Sequence, residues 1–170
     1  DPERVLLEAQ IEPGYTVVDI GSGSGAFSLA AAKMVGDGGH VYAIDVQNDL
    51  LLRLKANAHD LRLKNIDIVH TDAETGTKCR DGIADVVILS NVLFQADNKD
   101  ALVKEAARIT KKGGAVLLVD WSESFGNMGP RSEDVITKNK ALQMGSGAGL
   151  VINKEFDAGN HHYGLVFKKL

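Results

Sequence analysis

The run Val17-Val18-Asp19-Ile20-Gly21-Ser22-Gly23-Ser24-Gly25 constrains this chain more than any other segment. A short, β-prone apolar stretch ends in an aspartate and then in glycines at alternate positions. A helix-prone stretch, Ala26-Phe27-Ser28-Leu29-Ala30-Ala31-Ala32-Lys33-Met34, follows at once. This predicts a strand that bends sharply into a helix with no side chains obstructing the bend. Glycine tolerates positive φ and lets a ligand approach the backbone, and a helix start offers unpaired N–H groups at the positive end of its dipole. A turn of this kind suits the binding of a nucleoside-containing cofactor.

The same rhythm runs through most of the chain. Pro2 to Gln10 reads as a short helix closed by Glu12-Pro13-Gly14. Strands are predicted at Thr16–Ile20, Val41–Val46, Ile66–Thr71, Ala84–Ser90 and Ala115–Trp121, with helices near Ser24–Val35, Asp49–Leu63 and Lys99–Thr110. Four to six apolar residues rich in Val and Ile, bounded by Gly or Asp, fit strands buried on both faces. The Ile66 strand alternates more and belongs at an edge. Asn98-Lys99-Asp100 starts a helix, and Lys111-Lys112-Gly113-Gly114 is expected to stop it with cations and a glycine cap. Alternating strands and helices make this α/β with a largely parallel sheet. After Trp121 the pattern changes. A polar stretch, Ser122 to Gly129, precedes a helix predicted from Ser132 to about Met144. Leu150–Asp157 and His161–Lys168 then read as strands joined by a gap short enough to require an antiparallel hairpin.

Composition narrows the class. At 170 residues one domain, 1–170, is expected. A formal net charge of −4, with lysine runs no longer than the pairs Lys111-Lys112 and Lys168-Lys169, gives no electrostatic footprint for nucleic acid. No apolar run is long enough for a membrane span, and no signal-peptide pattern is present. The single cysteine, Cys79, cannot form an internal disulfide, so a cytoplasmic location is expected. The first residue is Asp1 and not methionine, which suggests trimming ahead of it.

The glycine turn by itself fits two cofactors. Gly21 through Ala26 satisfies G-x-G-x-x-G/A, and Asp45 stands about where a ribose-binding acid belongs in a dinucleotide fold. Against a dinucleotide, the chain has no room for a catalytic domain, and the terminal hairpin is wrong for that sheet.

The ordered set of motifs resembles the class I S-adenosylmethionine-dependent methyltransferases. An acid, an apolar residue and Gly-x-Gly-x-Gly occur as Asp19 to Gly25; an acid ends the second strand at Asp45; an aspartate follows the third at Asp72 in His70-Thr71-Asp72-Ala73. Ala84 to Asn91 resembles the fourth strand, Lys112-Gly113-Gly114 the approach to the fifth, and the hairpin the sixth and seventh. Within that group the chain is most similar to the small ubiquinone/menaquinone-biosynthesis-type methyltransferase-domain proteins, through Asn91-Val92-Leu93-Phe94-Gln95, Asp120-Trp121 and His162 to Lys168. The resemblance implies a Rossmann-like three-layer sandwich with a mostly parallel seven-stranded sheet in the order 3-2-1-4-5-7-6.

It further implies S-adenosyl-L-methionine as cofactor, with S-adenosyl-L-homocysteine as product. The cofactor would be held by Asp19, Gly21, Ser22, Gly23, Gly25, Asp45, Val46, Asp72, Ala73, Ser90 and Asn91. Asp45 would accept both ribose hydroxyls and Asp72 the adenine amino group, with Ala73 donating its N–H. Asp19 would order the turn or meet the ligand's amino group. The expected reaction is in-line methyl transfer to a small-molecule acceptor. The alternative is a catalytically silent cofactor-binding module that acts through a protein partner. Phe94, Gln95, Trp121 and Glu123 are placed near the pocket mouth, and no catalytic residue is assigned. His161 and His162 are read as hairpin residues rather than bases, His70 as a strand-end polar group. His40, His59 and Cys79 make no spaced metal set. The short segment before the first strand leaves the site open, either to a bulky or macromolecular acceptor or to closure by a missing segment or a second subunit, so a homodimer is allowed.

Overall fold

A computed structural model describes residues 1–170. The elements in chain order are α1 (Pro2–Glu8), β1 (Thr16–Ile20), α2 (Ala26–Val35), β2 (His40–Asp45), α3 (Asn48–Asp60), β3 (Ile66–His70), β4 (Ala84–Ser90), α4 (Lys99–Ile109), β5 (Thr110–Trp121), α5 (Lys138–Gly147), β6 (Leu150–Gly159) and β7 (His162–Lys169). Two short 3₁₀ turns lie at Leu93–Gln95 and Ser132–Asp134. The seven strands form one sheet in the order β3-β2-β1-β4-β5-β7-β6, as expected. β1 to β5 run parallel, whereas β7 is antiparallel to both β5 and β6. The alternating β3 strand lies at the edge, as its pattern predicts.

The continuous apolar runs are explained by burial on both faces. In β4, Val86 and Ile88 pack with α1 and α2, while Val87 and Leu89 pack with α4 and α5. In β5, Leu117 and Val119 face the first group and Val116 and Leu118 the second. Three layers result, with the parallel strands all ending at one edge of the sheet.

Two boundaries differ from expectation. Lys111-Lys112-Gly113-Gly114 does not cap α4. The helix ends at Ile109, the buried Thr110 hydroxyl donates to the Ala106 carbonyl at 2.7 Å, and the chain is already strand from Thr110. The glycines instead form the irregular start of β5, where the register with β4 shifts and Gly113 takes φ 82°. The helix predicted from Ser132 breaks in two. Ser132–Asp134 is a single 3₁₀ turn, and α5 begins only at Lys138, capped by the Thr137 hydroxyl, which accepts the Lys140 N–H at 3.1 Å. Between them the chain stays extended because Ile136 is buried and its carbonyl accepts the Tyr163 hydroxyl at 2.7 Å. A buried tyrosine hydroxyl needs such a partner, and satisfying it outweighs local helix propensity.

A side-chain network braces the loop after β3. Glu105 accepts from the Thr77 N–H at 2.7 Å, the Thr77 hydroxyl at 2.8 Å and the Arg108 guanidinium at 2.7 Å. The Arg108 bond, helped by those from Thr77, holds the Glu105 carboxyl down at about 2 against the effect of burial.

Two glycines of α5 have opposite surroundings. A Cβ on Gly145 would lie 2.3 Å from Phe167 Cε1, and that ring is buried, whereas a Cβ on Gly147 would meet nothing. Alanine gains about 1 kcal/mol over glycine in a helix, but forcing a methyl into a packed core costs about 1–3 kcal/mol. Gly145→Ala is therefore expected to lower stability and Gly147→Ala to raise it slightly, as read by urea denaturation. Equal effects from the two substitutions would contradict this packing.

Candidate functional site

The carboxyl ends of β1, β2 and β4 enclose a cleft of about 400 Å³, within the size range of small-ligand sites. Its base is the glycine turn. The amides of Gly21 and Ser22 both donate to the Ile44 carbonyl, at 2.8 and 2.9 Å, which folds the end of β1 over the end of β2. Gly21, at φ 73°, has no room for a side chain, because a Cβ would stand 2.1 Å from Val92 Cγ1. Gly25, at φ 98°, is the N-cap of α2, and a Cβ there would collide with Leu54 of α3. The turn is thus pressed between two other parts of the chain, and only glycine fits.

Asp45 ends β2 at the cleft wall. Its Oδ2 accepts the Gly23 N–H at 2.8 Å and its Oδ1 the Gln47 N–H at 2.9 Å. A carboxylate has about four acceptor positions, so each oxygen keeps capacity for a ligand hydroxyl. Asp19 lies deeper and is almost completely buried. Its Oδ2 accepts the Ser28 hydroxyl at 2.7 Å, which anchors the first turn of α2 beneath the glycines. Burial pushes the Asp19 carboxyl up to about 6; the Ser28 hydroxyl opposes this and the Asp45 charge adds to it.

Across the cleft, Asp72 is exposed, and its Oδ1 accepts the Glu74 N–H at 2.9 Å in a tight turn after β3. The neighbouring Ala73 is buried at the cleft wall. Ser90 and Asn91 end β4. Asn91 takes φ 57° and its Oδ1 is buried without a hydrogen-bond partner. The Ser22 hydroxyl is a second orphan of this kind.

Eight of the eleven residues named from the sequence line the cleft: Gly21, Gly23, Asp45, Val46, Asp72, Ala73, Ser90 and Asn91. Asp19, Ser22 and Gly25 lie behind the wall, where they shape the turn. Gln47, Leu50, Glu74 and Val92 also line it and escaped the sequence reading. Gln47 was findable, since it is the N-cap of the helix that follows Asp45. Of the residues placed at the mouth, only Gln95 lines the cleft. Phe94 packs on the core, Trp121 lies against His162 with ring centroids 4.2 Å apart, and Glu123 pairs with His161 at 2.8 Å. The His70 ring nitrogen bonds the Val46 carbonyl at 2.9 Å and so serves the strand end.

Residues 11–152 match the family model described as a methyltransferase domain. A crystal structure of a SAM-dependent methyltransferase from Aquifex aeolicus superposes with a TM-score of 0.91 at 26% identity, covering 100% of this chain and 90% of that one. The chain belongs to the S-adenosylmethionine-dependent methyltransferase family. Among curated proteins, the domain is 30% identical over 137 residues to a ubiquinone/menaquinone biosynthesis C-methyltransferase of Hydrogenovibrio crunogenus, covering 79% of the chain and 53% of that protein. It is 33% identical over 122 residues to the Burkholderia cenocepacia protein of the same name, covering 69% and 48%. The chain thus spans about half the length of the curated relatives it matches. No helix of the methyltransferase domain is long and apolar enough to cross a membrane.

The buried Asp19 leads to a pH prediction. Its carboxyl holds a proton more tightly folded, at about 6, than unfolded, at 3.8, so unfolding free energy falls as pH rises between those values. Asp120 adds a slope of the same sign. Asp19→Asn is expected to flatten that decline, measured by urea denaturation across this pH window. A variant that keeps the full wild-type slope would show that Asp19 titrates normally.

Proposed function

We propose that this domain binds S-adenosylmethionine along the carboxyl ends of β1, β2 and β4 and methylates a small-molecule acceptor that enters beside β5. The residues present suit the cofactor. Gly21 and Gly23 give backbone access, and Asp45 has acceptor capacity left for two ribose hydroxyls. Asn91 lines the cleft, and its buried Oδ1 is an acceptor without a donor. Asp72 and the Ala73 amide would recognise the adenine edge. Val46 and Leu50 would give the ring apolar contact. When bound, the sulfonium supplies an already activated methyl group for in-line displacement. The chain's own task is then positional: to hold both partners aligned and exclude water.

The arrangement around Asp45 carries this reading. A strand-end carboxylate fixed by two backbone amides, one of them from the glycine turn, is rigid before any ligand arrives. Preorganisation of this kind reduces the ordering cost of binding.

The acceptor side is read from β5. Beyond Trp121, Phe125 stacks on His161 with centroids 4.0 Å apart, and Phe125 and Met128 are both exposed. This apolar and aromatic surface lies at the same end of the sheet as the cleft and favours an acceptor with an apolar body. The relatives named for C-methylation favour carbon as the receiving atom. The net negative charge weighs against a nucleic-acid acceptor.

Calorimetric titration with S-adenosylmethionine tests the reading. Wild type is expected to bind saturably and to ignore NADH. Asp45→Ala, checked for folding by circular dichroism, should weaken binding on the order of a hundredfold, the loss of two charge-assisted hydrogen bonds. Failure of the wild type to bind S-adenosylmethionine, or equal binding of NADH, would sink the proposal.

A further inference from the structure

We infer that Glu74 is a positioning residue for base recognition: its carboxylate ties the turn after β3 to the start of α4, and so holds Asp72 and Ala73 where they meet the adenine edge. The inference rests on the cleft being the S-adenosylmethionine site, with Asp72 and Ala73 at its adenine end.

The start of α4 is incomplete in its own sequence. Asn98 is the N-cap, and its Oδ1 accepts the Ala101 N–H at 3.0 Å. In a capping box, a carboxylate three residues beyond the cap accepts the N–H of the cap itself. That residue here is Ala101, whose side chain has no acceptor. Glu74 supplies one from 24 residues upstream: its Oε1 accepts the Asn98 N–H at 2.5 Å. Negative charge at this end of a helix also meets the positive end of its dipole.

The turn that carries Glu74 is compact. The Asp72 Oδ1 accepts the Glu74 N–H at 2.9 Å, the Thr75 hydroxyl donates to the Asp72 carbonyl at 2.9 Å, and the Gly76 N–H donates to the Ala73 carbonyl at 3.2 Å. Its flanks are anchored by the Thr71 N–H, which donates to the Asp45 carbonyl at 3.2 Å, and by Thr77, which donates to Glu105. Between those anchors, the Glu74 carboxylate makes the one side-chain hydrogen bond that leaves the turn. Glu74 therefore belongs to two linked bonds. Its N–H orients the Asp72 carboxylate, and its own carboxylate is fixed on α4. Asp72, Ala73 and Glu74 line the cleft, as do Ala96 and Leu102 on either side of Asn98 in sequence.

The chemistry of the base makes this link a matter of specificity. Adenine offers an amino donor beside a ring-nitrogen acceptor, which suit a carboxylate and an amide N–H held side by side. Hypoxanthine reverses both, with a carbonyl and a ring N–H, so each group would face its like. Such rejection lasts only while the two protein groups are held in place, because a turn free to shift lets water satisfy them.

The test titrates wild type, Glu74→Ala and Glu74→Gln with S-adenosylhomocysteine and S-inosylhomocysteine, alongside thermal melting and amide hydrogen exchange. Wild type is expected to favour the adenosyl ligand by about a hundredfold, and Glu74→Ala to lose about tenfold of that preference. Glu74→Gln keeps an oxygen for the Asn98 N–H and should stay within about twofold of wild type. The Asn98 amide should exchange faster in Glu74→Ala alone. A general loss of stability would weaken both ligands together and leave their ratio unchanged, so an unchanged ratio in Glu74→Ala would overturn the inference. Preference lost in Glu74→Gln with Asn98 still protected would overturn it too, since the carboxylate would then be reading the base directly. A wild type that binds S-adenosylhomocysteine without preferring it would remove Asp72 and Ala73 from the adenine edge, and the inference with them. A wild type that binds neither ligand would remove the cofactor reading itself.

Discussion

One carbonyl organises this molecule. The Ile44 oxygen receives the amides of both Gly21 and Ser22, so the end of β1 is bent across the end of β2. That bend brings the Gly23 amide to Asp45, starts α2 over the sheet and sets Gly21 against Val92. A side chain at Gly21 would push apart the two walls of the cleft. The conformational freedom of glycine is needed here less for its own sake than for the closeness of three chain segments at one point.

Two carboxylates within this bend have been given different environments and hence different duties. Asp45 is largely buried but lines the cleft and is held by backbone amides. Asp19 is sealed under the turn, bonded to Ser28 and pushed toward neutrality by its burial. Asp19, raised to about 6, takes up a proton more readily than an ordinary aspartate. The helix starts of α2 and α3, both next to this bend, add partial positive charge where a carboxylate is wanted. Environment and not residue type separates the acid that braces the turn from the one that lines the cleft.

Much of this was legible in the sequence, for identifiable reasons. The central strands announce themselves because burial on both faces demands unbroken Val and Ile, as in Val86 to Leu89. Asp45 and Asn91 could be placed at the site because parallel strands deliver their carboxyl ends to one edge. Other features depended on partners far along the chain. The Lys111–Gly114 stretch looks like a helix stop but is drawn into the sheet by β4. The break before α5 is imposed by Tyr163, whose hydroxyl captures the Ile136 carbonyl 27 residues away. Glu123 and His161 lie 38 residues apart and meet only because the hairpin turn returns to the end of β5. Asp120 read as part of a strand ending, and nothing local signals that its side chain is buried.

The antiparallel hairpin has a consequence for how the chain is made. β6 is synthesised before β7 but within the sheet pairs only with β7, which inserts between it and β5. Until Lys169 has emerged, β5 is an open edge carrying Val116 to Val119, and β6 hangs free with Val151 and Ile152 exposed. Unpaired edges of this kind template association with other chains. A nascent or prematurely terminated product that stops before β7 would therefore carry two sticky margins, although every residue lining its cleft had already been translated. Closure of the sheet thus falls on the eight residues of β7.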